Sequence, residues 1–283
     1  MAPPGGVVQS TPRDGAHYGG NVRADVLIVI PTLGTRPEYL AQTLASIRSQ
    51  SVRADVIVVT PAAADGARDL AREHGARVVD DPGSLPAAIN LGVACAEPQH
   101  AYVNWIGDDD LLTPGSLERT TAALRRDPAA VLAYGACQYV DDVDRPLWVS
   151  RAGRWATRIL SWGPDLIPQP GMLVRRDAWD RVGGVDDSLR FAFDLDLLLK
   201  LRGEGSFVDV GEVVSCFRWH AESLTVSDRT RSLDESEAVK RRYLSPRARS
   251  LSWAWEGPVR VATRLAAREV SRRARRAGAA TGR

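Results

Sequence analysis

Tyr102-Val103-Asn104-Trp105-Ile106-Gly107-Asp108-Asp109-Asp110 is the stretch on which the reading of this chain turns. Residues 102–106 read as a buried strand, Gly107 frees the backbone to turn, and three carboxylates follow at once. In open α/β sheets ligands bind beyond the carboxyl ends of the strands, and the cluster stands at such an end. Adjacent carboxylates repel one another, and a hard divalent cation with oxygen ligands is the usual relief. Mg2+ keeps several waters and takes one or two carboxylates together with substrate phosphates. Asp108, Asp109 and Asp110 therefore suggest a metal–diphosphate site, with a solvated acidic turn capping the next helix as the plainer alternative.

Upstream, Val26-Leu27-Ile28-Val29-Ile30 is continuously apolar and largely β-branched, as a strand buried on both faces of a parallel sheet should be, and Pro31 ends it. Helical spacing follows over Glu38–Arg48, then a strand at Val56–Val59 stopped by Pro61. A helix over Asp65–His74 stops at Gly75, a short strand occupies Arg77–Val79, and Pro86 opens a helix running to Ala96. Downstream of the carboxylates, Pro114–Arg126 is again helical. The alternation predicts an open, mostly parallel, twisted α/β sheet flanked by helices. Beyond it the pattern loosens. Strands are expected at Val131–Val140, Leu147–Val149 and Val208–Val214, and helices at Ala178–Val182, closed by Gly183-Gly184, and at Leu195–Arg202.

The 283 residues, 44% hydrophobic and 25% charged, suit one large globular domain with extensions. The expected division is a disordered leader over residues 1–22, a catalytic domain over 23–245 and a basic helical tail over 246–283. Residues 247–283 hold ten Arg and two Glu, so a chain of net charge +2 combines a mildly acidic body with a strongly basic end. Arg260, Arg264, Arg268 and Arg272 recur at four-residue steps and would line one helix face. Such a tail either docks on an anionic membrane surface or stands as a solvated helix; nothing beyond its charge points to nucleic acid. Cys95, Cys137 and Cys216 are too far apart for a zinc motif or a disulfide framework, which fits a reducing cytoplasm. The leader lacks the apolar core of a signal peptide, and no window approaches the ~18 apolar residues of a membrane span. The expected location is cytoplasmic, with any membrane contact peripheral, at the inner face of the plasma membrane.

Three further constellations carry chemistry. Asp194 and Asp196 sit among Phe191, Phe193, Leu195 and Leu197, where desolvation raises a carboxylate toward general-base values; Asp194 is equally placed to cap the helix that follows. Arg218-Trp219-His220, with Ser223 and Thr225 after it, offers a guanidinium and an imidazole for phosphate or metal. Gly83 to Asn90 opens a helix with small residues, allowing close approach of a nucleotide or sugar phosphate.

Taken in order, these pieces resemble glycosyltransferase family 2, from about Val26 to Thr225. Val29-Ile30-Pro31-Thr32 with Arg36-Pro37-Glu38-Tyr39-Leu40 resembles that family's opening "IPTYNRPEYL", and Thr43 to Ile47 with Gln50 its "TLxSLxxQ" helix. Leu85 to Gly92 resembles "GxxAARNxG", and Tyr102 to Leu112 the strand ending in the metal-binding Asp-x-Asp motif. Gly171 to Arg176 and Val182 to Asp186 resemble the acceptor-side "xxRR … GGFD" segment. Phe193 to Asp196 resembles the "ED" motif, and Arg218 to Thr225 the closing "YRxHxxSxS". Two departures stand out. Thr60 to Asp65 replaces the family's Asp-Asp-Gly-Ser run, which leaves the donor nucleotide open, and Phe193 replaces the Glu before the base.

The resemblance implies an A-type, nucleotide-diphospho-sugar transferase fold and an inverting transfer from a nucleotide-diphosphate sugar to an acceptor hydroxyl, in bacterial cell-surface or secondary glycan synthesis. It implies Mg2+ or Mn2+ held by Asp108, Asp109, Asp110 and His220, with Asp194 as base. Pro31, Thr32, Arg36, Thr60, Leu85, Asn90 and Gly107 would bind the donor. Gly171, Met172, Asp196 and Arg218 would face the acceptor or phosphate. The acceptor would be a glycan, a lipid-linked sugar or a small molecule. The alternatives are a degenerate, non-catalytic transferase-fold subunit, which the missing Asp near Thr60 favours and the retained carboxylates oppose, and a sugar nucleotidylyltransferase, which would need a Gly-rich basic loop after the first strand, where this chain has Thr32 to Pro37.

Overall fold

The computed structural model describes residues 24–279 except 152, 154 and 220–228, so the leader, His220, Ser223 and Thr225 lie outside the described residues. Among the described residues nine strands form one sheet: β1 (Val26–Pro31), β2 (Ala54–Thr60), β3 (Arg77–Asp80), β4 (Tyr102–Trp105), β5 (Leu111–Leu112), β6 (Ala130–Val140), β7 (Pro146–Ser150), β8 (Leu173–Arg175) and β9 (Ser206–Arg218). Their order is β3-β2-β1-β4-β8-β6-β9-β5, with β7 on β6. β3, β2, β1 and β4 are mutually parallel, as are β6 and β9, while β5, β7 and β8 join antiparallel.

The apolar run of β1 has the expected cause. Val26, Ile28 and Ile30 enter one core with Leu40, Leu44 and Val58, while Leu27 and Val29 enter the other with Ile57, Val103 and Trp105. Both faces are buried, so neither set of alternating side chains is polar. Helix α1 (Pro37–Arg48) starts on a proline and buries Leu40, Thr43, Leu44 and Ile47, one stripe at helical spacing. On the same half lie α2 (Asp65–Glu73), α3 (Leu85–Ala94) and α4 (Ser116–Arg126). A β-carbon at Gly92 in α3 would stand 2.3 Å from Val29 Cγ1, so the helix seats directly on β1. Gly92→Ala is expected to lower stability by about 1–3 kcal/mol through overpacking, read as a lower urea midpoint at unchanged m-value.

The second half carries α5 (Ala156–Ile159), α6 (Arg176–Val182), α7 (Phe193–Leu201), α8 (Arg229–Tyr243), α9 (Pro246–Ser250) and α10 (Trp253–Ala279). Gly183 closes α6 with φ +73°, a left-handed cap. β9 runs four residues past the expected end at Val214, because Ser215 to Arg218 keep pairing with β6 and β5. The tail is helical over 253–279, but its arginines do not share one fate: Arg260 pairs with Asp234 and Glu237 of α8, and Arg272 with Glu269. No described helix is long and apolar enough to cross a membrane.

Candidate active site

β1 and β4 are neighbours in parallel register, so their carboxyl ends deliver Pro31-Thr32 and Gly107-Asp108 side by side. Thr32 Oγ1 donates to Asp108 Oδ2 at 2.5 Å. The Arg36 guanidinium forks, with Nη2 at 2.6 Å from Asp108 Oδ1 and Nη1 at 2.7 Å from Asp109 Oδ2. Beneath, the Thr43 hydroxyl donates to the carbonyls of Asp108 and Asp110 at 3.0 and 2.8 Å, tying the turn to α1. Asp110 is turned inward, its Oδ1 accepting from the Arg218 backbone N–H at 3.1 Å. Burial, and then the charge of Asp109, push the Asp110 carboxyl well above the ordinary aspartate range.

Gly107 shows what this turn can hold. A β-carbon there would lie 2.7 Å from Asp109 Oδ1 and 3.1 Å from Asp110 Oδ2. The two oxygens thus converge over the bare Cα of Gly107, and that donor set fits a hard divalent cation completed by phosphate and water. Among the described residues no three His, Cys, Asp or Glu side chains form a closed metal cage. Gly107→Ala is expected to fold but to weaken Mn2+ binding by about 10-fold, since the methyl must push one carboxylate aside; isothermal titration reads this directly.

The turn opens into a cavity of about 1030 Å³, at the upper end of the size usual for ligand pockets. Asp194, in the first turn of α7, lines the same cavity. Its Oδ1 accepts from Leu195 N at 2.7 Å, and desolvation raises its carboxyl to about 6, assisted by the Glu235 charge. Asp165 lines the cavity too and is raised to about 7 by desolvation and then by Asp194. It sits on a loop pinned at both ends. Gln169 Nε2 donates to Trp105 O at 2.7 Å, and the Lys240 ammonium donates to Gly163 O. Glu235 of α8 accepts from the backbone N–H groups of Arg190, Phe191 and Ala192 at 3.0, 2.5 and 2.7 Å, fixing the turn that leads into Asp194. Asp165, Glu235 and Lys240 carry no motif or periodicity that marks them in the sequence.

Other expected residues divide. Pro31, Thr32, Arg36, Leu85, Gly107 and the three aspartates line the cavity. Thr60, Asn90, Gly171, Met172, Asp196 and Arg218 do not. Thr60 is fully buried at the end of β2. Asn90 clasps Val185, donating to its O at 2.8 Å and accepting from its N at 3.1 Å. Gly171 and Met172 are buried, the first against Val214 and Ser215. Asp196 takes the Tyr243 hydroxyl at 2.7 Å and the Lys200 ammonium at 2.9 Å. The Arg218 side chain is buried against Asp144, Gln42 and the Tyr39 ring, while its backbone N–H reaches Asp110 of the Asp turn.

Comparison with known proteins agrees with this geometry. The sequence model of glycosyl transferase family 2 matches residues 27–182, more than half of the chain. An uncharacterised glycosyltransferase of Rickettsia prowazekii is 23% identical over 216 residues, 72% of this chain and 67% of that protein. One from Haemophilus influenzae is 20% identical over 227 residues, 77% of this chain and 76% of that protein. The fold is similar to that of the mannosyltransferase PcManGT from Pyrobaculum calidifontis, solved with GDP-Man and Mn2+, at TM-score 0.62 and 18% identity over 87% of this chain and 76% of that one. It is also similar to S. aureus TarS 1-349 solved with UDP-GlcNAc, at TM-score 0.58 and 15% identity over 78% and 70%. A parallel sheet that ends in a carboxylate turn, the family match that runs through it and two glycosyltransferase relatives agree: the chain belongs to glycosyl transferase family 2.

Proposed function

We propose that this chain transfers a sugar, with inversion, from a nucleotide-diphosphate sugar to an acceptor hydroxyl, with Asp194 as the base. The observation that carries the reading is the meeting of two carboxylate groups in one cavity: the Asp109–Asp110 pair at the end of β4, and Asp194 at the start of α7. Asp109 and Asp110 would hold Mg2+ or Mn2+, which when bound offsets the negative charge that grows on the diphosphate leaving group. Arg36 keeps Asp108 and Asp109 oriented when the acid cluster would otherwise repel itself. Asp194, with its carboxyl at about 6, is ionised at neutral pH yet basic enough to take the proton from the attacking hydroxyl. The Mn2+-bound and nucleotide-sugar-bound neighbours support the cation and the donor class, and two bacterial relatives support a bacterial glycan pathway.

Titrating the purified chain with a panel of UDP-, GDP- and dTDP-sugars, with and without Mn2+, tests this. One donor should bind, and bind more tightly with the cation; no donor binding under either condition would sink the proposal.

Peripheral membrane contact, suited to a lipid-linked acceptor, draws support from the exposed Leu251, Trp253, Val261 and Leu265 near Arg247, Arg249 and Arg268. Because Trp255 and Val259 of the same helix line the cavity, deleting the tail would confound the test. Trp253→Ser with Leu265→Ser is expected to abolish pelleting with anionic liposomes; unchanged pelleting would remove the membrane reading.

A further inference from the structure

One cavity wall is built of four rings. Tyr139 of β6 lies 5.3 Å from Trp148 of β7, 5.2 Å from Phe217 of β9 and 6.1 Å from Trp219, centroid to centroid, at interplanar angles of 33° to 49°. All four line the cavity, and none is fully buried. The wall shares its cavity with Asp110, Asp165 and Asp194, and the charges of Asp110 and Asp165 both act on the Tyr139 phenol. Asp165 is close enough to Asp194 for that carboxylate to be its strongest charge partner. Its Oδ1 accepts from Ile167 N at 3.1 Å, and its Oδ2 takes no hydrogen bond among the described residues. The Lys240 ammonium of α8 acts on Asp165 with opposite charge and is shared with Glu237 and Glu256.

We propose that Tyr139, Trp148, Phe217 and Trp219 together with Asp165 form the acceptor subsite, and that its ligand is a saccharide ring with at least two adjacent hydroxyls. This rests on the transferase reading and adds the acceptor's chemical class to it. A pyranose has an apolar C–H face, which fits a tilted aromatic wall, and a hydroxyl edge, which needs acceptors. Carboxylates are acceptor-only groups with room for several donors. Asp194 takes the proton of the attacking hydroxyl, and Asp165 accepts a hydrogen bond from the hydroxyl beside it, which sets the ring's orientation. A flat aromatic ligand would satisfy the wall and leave both carboxylates bare; an alkyl chain would do the same. An acceptor carrying its own carboxylate beside these hydroxyls would be repelled.

The test is a fluorescence and saturation-transfer titration of the full chain, loaded with Mn2+ and UDP or GDP, against methyl glycosides of glucose, galactose, mannose and N-acetylglucosamine and against methyl glucuronide. At least one neutral glycoside should bind saturably and quench tryptophan emission, and the glucuronide should not. Asp165→Asn should weaken that binding by about 10-fold, the scale of a hydrogen bond to a charged group. Trp148→Ala should weaken it by a similar factor, and Trp148→Phe, which keeps a ring, should restore most of it. Nucleotide affinity should stay within about twofold in each variant, a control for folding as well. Saturable binding of no glycoside by a chain that binds nucleotide would overturn the subsite alone, as would full affinity in Asp165→Asn. Failure to bind any nucleotide would overturn the transferase reading beneath it.

Discussion

Asp194→Asn is expected to lower kcat by about 10²–10⁴, the usual contribution of a positioned general base, while donor affinity holds within about twofold. The amide is nearly isosteric, so the Leu195 N–H keeps an oxygen partner and α7 keeps its first turn. What is lost is the site for the proton. The acid side of the pH profile provides a second reading. Burial raises the Asp194 carboxyl to about 6, and only the ionised form accepts a proton. Rate should therefore be full above that value and fall about tenfold per pH unit below it. A variant that turns over normally, or a wild-type profile flat down to pH 4.5, would remove Asp194 from the role.

Glu235→Ala should cost about 10²-fold in kcat from a position that touches no substrate, the scale expected when a reacting group is misplaced by about 1 Å. Its carboxylate takes three successive backbone N–H groups at Arg190, Phe191 and Ala192, directly before the base helix. Without it those donors lose their partner and the turn carrying Asp194 loosens, at about 1–3 kcal/mol of stability. A purely structural role would stop at stability. Here the Glu235 charge also raises the Asp194 carboxyl, so Glu235→Gln should move the acid limb to lower pH, and Glu235→Asp should leave it near the wild-type position. An unmoved limb in Glu235→Gln, measured on folded protein, would reduce Glu235 to a helix anchor.

The two halves of the chain differ in how much they disclose. β1, β2 and β4 are buried on both faces, so composition alone marks them as parallel strands, and the carboxyl-end rule then locates the Asp turn. Helix α8 gives no such signal. Its apolar residues are few, Leu233 and Val239 among them, and it is held by polar bonds from Glu235, Lys240, Arg242 and Tyr243 to partners far away in sequence. Asp165 was hidden for a related reason: its loop has no periodicity. Its prolines, Pro164, Pro168 and Pro170, did announce a stiff segment, and a carboxylate inside one was the available clue. Asn90, Asp196 and Arg218 fit motifs, yet a motif records that a residue type is needed without saying whether it meets a ligand or, as in this fold, a neighbouring backbone or side chain.

The clasp of α8 on the turn before α7 also has a meaning in time. A chain emerges from the ribosome amino end first. β1, β2 and β4, which lead to the Asp turn, therefore emerge well before Glu235, which follows Asp194 by about 40 residues, and before Trp255, later again. Until α8 has emerged and closed, the backbone N–H groups before α7 lack the carboxylate that holds them, so on the proposed reading the base would be the last part of the site to be set.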